Sequence, residues 1–227
     1  MKRDVSLIVA AAGEGSRMKA AVRKPFLDLG GTPVLYVTLQ KFSGCRRICQ
    51  VILCLHGEDY ARREVLLAAK APIEITDVVL GGASRTDSVA NALGALKEGV
   101  AVVLIHDAVR PFVSPRVIEG VIEAAERHGA AIAAAPVKDT IKRVEGGLVL
   151  ETVPREGLFL AQTPQGFRRE VIEELYRGRG AKDFTDDAIL AEESGRHVAV
   201  VESDYENFKI TTAQDMAIAR AMVSRAS

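Results

Sequence analysis

The chain has 227 residues, of which 48% are hydrophobic and 26% charged, a composition typical of a globular protein with one large core. Thirty basic residues balance thirty acidic ones, so no overall field attracts nucleic acid or an anionic membrane, and any affinity for phosphate must come from local clusters. No apolar run reaches the roughly 18 residues of a membrane span and no signal peptide is indicated, so we expect a cytoplasmic protein.

Short apolar runs alternate with amphipathic stretches along the chain. The apolar runs predict strands at 6–10, 51–55, 76–80, 101–105, 130–137 and 197–201. Apolar residues at intervals of three and four predict helices over 32–42, 58–70, 85–97 and 114–129. This alternation predicts an α/β fold with a parallel sheet covered on both faces. Ligands of such sheets bind beyond the carboxyl ends of the strands, where the loops converge.

The loop after the first predicted strand, which we call the opening loop (residues 11–24), combines small residues with positive charges. Gly13 and Gly15 allow backbone amides to approach a triphosphate closely, although the glycines alone equally fit a plain turn. The third glycine of a dinucleotide fingerprint and the Gly-Lys-Ser/Thr of a P-loop are both absent. Arg17 and Lys24 can converge on one anion across the loop, which is the arrangement that phosphoryl or nucleotidyl transfer requires.

The three cysteines, Cys45, Cys49 and Cys54, lie on or beside one apolar segment. Their number is odd, and their spacing lacks the pairs of a zinc site. We therefore expect buried, reduced thiols.

Residues 139–158 break the alternation of strand and helix. They predict two strands around Gly146-Gly147, a dipeptide suited to a tight hairpin turn. An isolated two-stranded arm is marginal in water, so its apolar side chains need a covering surface, and a second copy of the chain is the economical one. We therefore expect a homodimer, which a monomeric mass in sedimentation would contradict.

Several stretches, in a fixed order, carry a resemblance to a known family. They are AAAGEGSRM, KPFLDLGGTPVL, GGASRTDSV, HDAVRP, APVKDTIKR, TPQGF, TDDA and NFKITTAQD. Together they resemble the cytidylyltransferases that act on 2-C-methyl-D-erythritol 4-phosphate (MEP) in non-mevalonate isoprenoid synthesis. The resemblance implies one Rossmann-like nucleotidyltransferase domain over 1–227, with a mostly parallel sheet and a β-arm at about 139–158 that is exchanged across a dimer.

The resemblance also implies which residues surround CTP and the metal. The CTP site would consist of Ala11, Ala12, Gly13, Gly15, Gly82, Ala83 and Ser88. Arg17 and Lys24 would stabilise the transition state at the triphosphate. Asp107 would coordinate Mg²⁺ or another divalent cation, because hard cations favour carboxylate and phosphate oxygens. From the residues alone, the GGAS stretch could simply be a turn, and Ser88 could be a residue of a helix without a role in binding.

The acceptor, according to the resemblance, would be held by residues of both subunits. Arg155 and Lys209 would act as catalytic cations that hold its phosphate for attack. The remaining acceptor residues would be Arg110, Thr140, Thr163 and Thr185. Without the resemblance, the sequence would indicate no catalytic role for either residue. Lys209 would be a lysine at the end of a strand, and Arg155 would be an exposed residue in a turn. One departure is Pro25, where many relatives have glutamine after the lysine.

The implied reaction is transfer of CMP from CTP to MEP, giving 4-diphosphocytidyl-2-C-methyl-D-erythritol and pyrophosphate. The nucleophile is an anionic phosphate oxygen, so no general base is required and the lack of an obvious Ser-His-Asp or Cys-His set is expected. We assign His106 a structural role, because the other histidines show no pattern of a metal-dependent phosphohydrolase. The alternatives are a ribitol-5-phosphate cytidylyltransferase, a sugar-1-phosphate nucleotidylyltransferase and a nucleotide-binding regulator without catalysis.

Overall fold

The computed structural model describes residues 2–13, 22–67, 70–180 and 183–226. The strands are β1 (Val5–Ala11), β2 (Ile48–Leu55), β3 (Asp77–Leu80), β4 (Val102–Asp107), β5 (Ala130–Pro136), β6 (Ile141–Glu145), β7 (Leu148–Val153), β8 (Phe159–Arg168) and β9 (Ala199–Glu202). The helices are α1 (Val34–Gln40), α2 (Gly57–Ala61), α3 (Arg63–Leu66), α4 (Arg85–Leu93), α5 (Pro115–His128), α6 (Arg169–Gly178), α7 (Ala188–Glu193) and α8 (Ala213–Ala226). A short 3-10 helix spans Lys24–Phe26.

Among the described residues, the strands form one large sheet and one separate hairpin. The large sheet has the order β3-β2-β1-β4-β8-β5-β9, and β6 pairs with β7. Neighbouring strands of the large sheet are parallel, except that β8 runs antiparallel to both β4 and β5. The predicted α/β fold, with a mostly parallel sheet and a protruding hairpin, is thereby confirmed.

Side chains of successive strand residues pack against opposite helical layers, as the period of two requires. In β1, Leu7 and Val9 belong to the core that contains α1 and α5. Ile8 belongs instead to the core that contains α4, α6 and α7. The same alternation separates Leu53 from Ile52 in β2. The sheet is therefore buried on both faces, which explains why its central strands appear in the sequence as continuous apolar runs.

Helix α5 illustrates how residue types in the sequence mark the two ends of a helix. The side chain of Ser114 accepts a hydrogen bond from the backbone N–H of Val117, and Pro115 occupies the first helical position. Gly129 ends the helix with φ of 89°, a conformation that glycine adopts without strain. Both boundaries thus follow from residue types that the sequence displays.

Three details differ from the sequence-based expectations. The stretch 58–70, which was expected to form one helix, contains the two short helices α2 and α3. Cys54 is buried, but Cys45 and Cys49 are only half-buried, and all three thiols are free. Strand β8 was not predicted, because Pro164 and Gly166 belong to residue types that are depleted from strands.

A third apolar cluster connects α8 to the loop before α1. Leu29 and Val34 pack there with Ile210 and Met216, all of them buried. This packing fixes the segment that precedes α8 at the carboxyl edge of the sheet. No helix in the described ranges combines the length and the apolar character that crossing a bilayer demands.

Candidate active site

A cavity of about 560 Å³ opens at the carboxyl ends of β1 and β4, the edge at which the sequence places a ligand site. Its walls come from distant segments of the chain. The lining residues are Ala10, Ala11, Ala12, Gly13, Lys24, Pro25, His56, Gly82, Ala83, Ser84, Arg85, Ser88, Asp107, Val109, Lys209, Ile210 and Thr211. Three of these side chains are cations, Lys24, Arg85 and Lys209, and one is a carboxylate, so the cavity suits a polyanion.

Lys24 is held at the wall of the cavity by the segment before α8. Its Nζ donates a hydrogen bond to the backbone oxygen of Thr211 at 2.6 Å, and the residue is only 9% exposed. The N–H and the hydroxyl of Thr211 in turn donate to the carboxylate of Asp215, at 2.8 and 2.7 Å. Burial alone would raise the pKa of Asp215, but these bonds lower it. The carboxylate at the start of α8 therefore fixes the backbone that Lys24 contacts.

The GGAS stretch forms a tight turn into α4. Ser84 caps the helix, the Ser88 hydroxyl donates to the Ser84 carbonyl at 2.8 Å, and the Gly82 N–H donates to Ser88 Oγ at 3.1 Å. A Cβ on Gly81 would lie only 2.4 Å from Cβ of Ala12. The turn thus crosses the opening loop at a distance that only glycine permits, and it brings the two proposed halves of the CTP site together.

Asp107 ends β4 beside Ala10 of β1 and is 5% exposed. Its Oδ2 lies 3.0 Å from Lys209 Nζ and 3.2 Å from Arg110 Nε, whereas its Oδ1 lies 3.8 Å from Arg85 Nε. Burial by itself would raise the pKa of Asp107, but the charges of Lys209, Arg85 and Arg110 hold it well below its usual range. The carboxylate is therefore ionised at neutral pH.

Arg85 and Asp187, which were not among the site residues expected from the sequence, form an ion pair next to Asp107. Arg85 Nη2 lies 2.8 Å from Asp187 Oδ2. Burial would lower the pKa of Arg85, but Asp187 and Asp107 raise it above its ordinary value, so the guanidinium stays charged. Arg85 stands within the quoted motif GGASR and Asp187 within TDDA. Membership in these motifs was the available signal, because the sequence does not show that the two side chains meet.

His56 is a further cavity residue that the sequence analysis did not assign. It follows β2 directly and caps α2, where its Nδ1 accepts a hydrogen bond from the Glu58 N–H at 3.4 Å. With Nδ1 as the acceptor, Nε2 is the ring nitrogen that can donate. His56 therefore adds a potential hydrogen-bond donor to the residues that line the cavity.

His106 and Thr163 lie in the core behind Asp107. The fully buried His106 ring has Nδ1 3.0 Å from Thr163 Oγ1 and Nε2 3.1 Å from the Arg110 carbonyl, and it contacts the edge of Phe42. Burial lowers the pKa of His106 to about 4, so the ring is neutral at pH 7. Thr163 Oγ1 also accepts the backbone N–H of Asp107 at 3.1 Å. The pair orients Asp107 rather than lining the cavity, in keeping with a structural role for His106.

The other expected acceptor residues do not line this cavity. Arg110 is not among the lining residues and donates from Nη1 to the Asn207 carbonyl at 2.8 Å. Thr185 is exposed in the segment before α7. Thr140 and Arg155 are exposed at the base of the hairpin, where Arg155 donates to the Lys138 carbonyl. Gly15 of the expected CTP site and the expected catalytic residue Arg17 lie outside the described residues.

The described residues contain no group of three or more His, Cys, Asp or Glu side chains that could hold a metal ion by themselves. Mg²⁺, however, commonly uses one or two carboxylates and takes its other ligands from substrate phosphates and water. Asp107 fits this pattern, because it is ionised, lines the cavity and has one oxygen, Oδ1, that lies 3.8 Å from Arg85 Nε, beyond hydrogen-bond distance. A divalent cation is therefore compatible with the site when a triphosphate supplies further oxygens.

The geometry of the site agrees with the comparisons to known proteins. Residues 5–225 match the family model of 2-C-methyl-D-erythritol 4-phosphate cytidylyltransferase. The chain belongs to this family. It is therefore a nucleotidyltransferase of the cytidylyltransferase class, and family membership favours this interpretation over a sugar-1-phosphate enzyme or a catalytically silent regulator.

Individual cytidylyltransferases match over nearly their full length. The enzyme of that name from Bacillus mycoides (strain KBAB4) is 43% identical over 221 residues, which cover 96% of this chain and 97% of the relative. The one from Geobacillus thermodenitrificans (strain NG80-2) is 41% identical over 219 residues, 96% of each chain. The crystal structure of the cytidylyltransferase from Thermus thermophilus superposes with a TM-score of 0.80 at 36% identity, and covers 97% of this chain and 99% of that one.

Proposed function

We propose that this protein transfers CMP from CTP to MEP, releasing pyrophosphate and forming 4-diphosphocytidyl-2-C-methyl-D-erythritol. The observation that carries the proposal is the convergence of Lys24, Lys209 and Arg85 with Asp107 in one cavity, in a chain of this family. Both substrates are polyanions, so their reacting atoms approach only if nearby cations offset their repulsion. A cavity with three cations and one carboxylate supplies that excess of positive charge.

The chemistry requires alignment and charge rather than proton removal. The attacking group is an anionic phosphate oxygen, and the neutral His106 beside Asp107 is buried away from the cavity. We assign Lys24 and Lys209 the task of donating to phosphate oxygens, since preorganised donors stabilise charge that develops in the transition state. Arg17 is proposed for the same task from the sequence.

The CTP half of the cavity is assigned to the opening loop and the GGAS turn. Backbone groups of Ala11, Ala12 and Gly13 would surround the triphosphate, together with Gly15. Gly82, Ala83 and Ser88 would frame the cytosine in a slot made by backbone and one short side chain, which admits a pyrimidine more readily than a purine. The close crossing of Gly81 and Ala12 sets the relative position of the two parts.

Asp107 is the residue proposed to hold Mg²⁺, through its Oδ1 and with triphosphate oxygens as further ligands. When bound, the ion would neutralise phosphate charge as a Lewis acid. Arg110 and Thr163 keep the carboxylate in place from behind, through the 3.2 Å contact of Arg110 Nε with Oδ2 and the 3.1 Å hydrogen bond to the Asp107 N–H. They are assigned to orient the site that receives the acceptor.

The acceptor half is proposed to be completed by a second copy of the chain. Thr140 and Arg155 are exposed at the base of the hairpin and do not line the cavity of their own chain. The hairpin also exposes Leu148, Val149 and Leu150, at 73%, 60% and 57%, an apolar surface that a partner would cover. We therefore propose a cytoplasmic homodimer in which the arm of one subunit carries Arg155 and Thr140 to the cavity of the other, next to Lys209 and Thr185.

Pyrophosphate release is the direct test. The protein would be incubated with CTP and Mg²⁺, and MEP, ribitol 5-phosphate and a hexose 1-phosphate would be offered separately. We expect release with MEP far above the other two acceptors, and loss of release when UTP or ATP replaces CTP. Selective release with ribitol 5-phosphate would change the acceptor and keep the mechanism. No release with any acceptor would overturn the proposal.

A further inference from the structure

The two carboxylate oxygens of Asp107 have very different surroundings. Oδ2 has two close cationic neighbours, Lys209 Nζ at 3.0 Å and Arg110 Nε at 3.2 Å. Oδ1 faces Arg85, whose Nε is 3.8 Å away, beyond hydrogen-bond distance. The oxygen that faces Arg85 is therefore the one that can accept a new ligand.

The guanidinium of Arg85 forms its close ion pair with a different carboxylate. Its Nη2 lies 2.8 Å from Asp187 Oδ2, a charge contact whose angles fall outside those of a hydrogen bond. Its Nη1 is buried and has no hydrogen-bond partner within the described part of the chain, so the guanidinium retains donors that could engage a second carboxylate. Asp187 and Asp107 thus compete for one cation, and Asp187 holds it.

Asp187 is itself fixed from two sides. The Tyr176 hydroxyl on α6 donates to Asp187 Oδ1, and Gln165 Oε1 on β8 accepts the backbone N–H of Asp187 at 2.9 Å. The residue is 1% exposed. Such a buried carboxylate with a rigid backbone and a hydroxyl partner keeps its position and binds Arg85 at a defined place.

We infer that Asp187 is a positioning residue that withholds Arg85 from Asp107, and that it thereby keeps Oδ1 of Asp107 free to bind a divalent cation. This inference rests on the proposed function, in which Asp107 is the metal ligand. Without the Asp187 charge, the largely buried guanidinium, whose side chain is 21% exposed, turns to the nearest remaining carboxylate, because the loss of its paired charge is unfavourable away from bulk water. Arg85 and Asp107 then form a close, charge-assisted pair that competes with the metal.

The test measures the Mn²⁺ affinity of the protein–analogue complex by electron paramagnetic resonance of the free ion. Protein is kept in excess over the nonreactive analogue α,β-methylene-CTP, so that the analogue is fully bound and does not chelate the ion in solution. Asp187→Asn removes the charge at nearly constant shape, and we expect its dissociation constant for Mn²⁺ to rise about tenfold, the equivalent of one charged contact. Asp186→Asn is the matched control. Its carboxylate accepts the Ile189 N–H at 3.2 Å, it forms no ion pair with Arg85, and its Mn²⁺ affinity should match that of the wild type.

The double variant Asp187→Asn/Arg85→Gln separates this role from a merely structural one. It removes the competing cation as well. With enough protein present to keep the analogue fully bound despite the loss of Arg85 from the cavity, we expect Mn²⁺ affinity within about threefold of the wild type. If the double variant binds Mn²⁺ as weakly as Asp187→Asn, or if Asp187→Asn binds it as tightly as the wild type, the inference is wrong.

Two further measurements complete the test. If Asp187→Asn lacks a cooperative thermal transition, Tyr176→Phe replaces it. That variant removes one hydrogen bond to Asp187, and we expect a rise of about threefold in the dissociation constant. An unchanged constant in Tyr176→Phe then overturns the inference. A wild-type protein that binds no Mn²⁺ with the analogue contradicts the metal role of Asp107 in the proposed function, and the inference fails together with it.

Discussion

Lys209 Nζ lies 3.0 Å from Asp107 Oδ2, so a lysine from the segment before α8 pairs with the carboxylate that ends β4. The neighbouring Ile210 is buried between α8 and the loop that precedes α1, which fixes the backbone of Lys209. The lysine side chain itself is 40% exposed and lines the cavity. Lys209 is thus anchored on one side and available to an incoming phosphate on the other.

Removal of this amine is expected to slow turnover strongly. For Lys209→Ala, kcat should fall about a hundredfold or more, the typical loss for one preorganised donor at a developing charge. Lys97→Ala is the control, because Lys97 pairs with Asp77 at 3.5 Å and does not line the cavity. Pyrophosphate release under saturating substrates measures both variants, and a kcat of Lys209→Ala near that of Lys97→Ala would contradict the assignment.

The close crossing of the GGAS turn and the opening loop makes a second prediction. In Gly81→Ala, the new Cβ would lie 2.4 Å from Ala12 Cβ and 3.0 Å from Ser88 Oγ, so the two parts of the CTP site must separate. We expect the KM for CTP to rise about tenfold, a cost typical of overpacking. In Gly44→Ala, by contrast, the new Cβ meets no atom within 4 Å. Steady-state kinetics should show no change for this control; equal KM values in the two variants would refute the steric argument.

The three thiols should differ in reactivity. Burial raises the pKa of Cys54 to about 12, so at pH 8 only about one molecule in ten thousand carries the reactive thiolate. Cys45 and Cys49 are half-buried. With iodoacetamide and mass spectrometry, we expect native protein to be labelled at Cys45 or Cys49 but not at Cys54, and urea-unfolded protein to be labelled at all three. Labelling of native Cys54 at the rate of the other two would show that this part of the core opens.

Local patterns were sufficient to predict most of the fold. The apolar runs of β1, β2 and β4 are unambiguous, because strands buried on both faces consist almost entirely of apolar residues. Strand β8 could not be found in this way. Gly166 is required there because a Cβ would lie 2.8 Å from Val121 Cγ1 on α5, and such a tertiary contact leaves no mark in the local pattern. Gly166 consequently appears in the sequence as a strand breaker.

The candidate site was predictable only in part, for a similar reason. Its motifs follow predicted strands, so their convergence at one edge of the sheet could be expected. The ion pairs of Asp107 could not, because they join α4, the end of β4 and the segment before α8 through side chains distant in sequence. Without the family resemblance, Lys209 would have been interpreted only as a lysine at the end of a strand. Arg85 is the clearest example of what the sequence does not show, because only the folded structure identifies Asp187 as its partner.

The exposed apolar residues of the hairpin predict its role in assembly. Leu150→Asp places a charge where a partner is expected to cover an apolar side chain, so the variant should sediment as a monomer at micromolar concentration where the wild type sediments as a dimer. Thr152→Asp adds the same charge on the same strand, beside Lys142, whose Nζ donates to Thr152 Oγ1 at 2.6 Å. This control should remain dimeric. A monomeric wild type would exclude the arm-mediated dimer.

Mixed dimers test whether Arg155 acts in the cavity of the partner subunit. Lys209→Ala and Arg155→Ala are each expected to be nearly inactive, because each removes a cation from every cavity. After the two variants are unfolded, mixed in equal amounts and refolded, about half of the dimers contain one chain of each kind. In such a dimer, the cavity of the Arg155→Ala chain retains Lys209 and receives an intact Arg155 from its partner. Activity should therefore return to about a quarter of the wild-type value. If Arg155 served the cavity of its own chain, no cavity would be intact and the mixture would stay inactive.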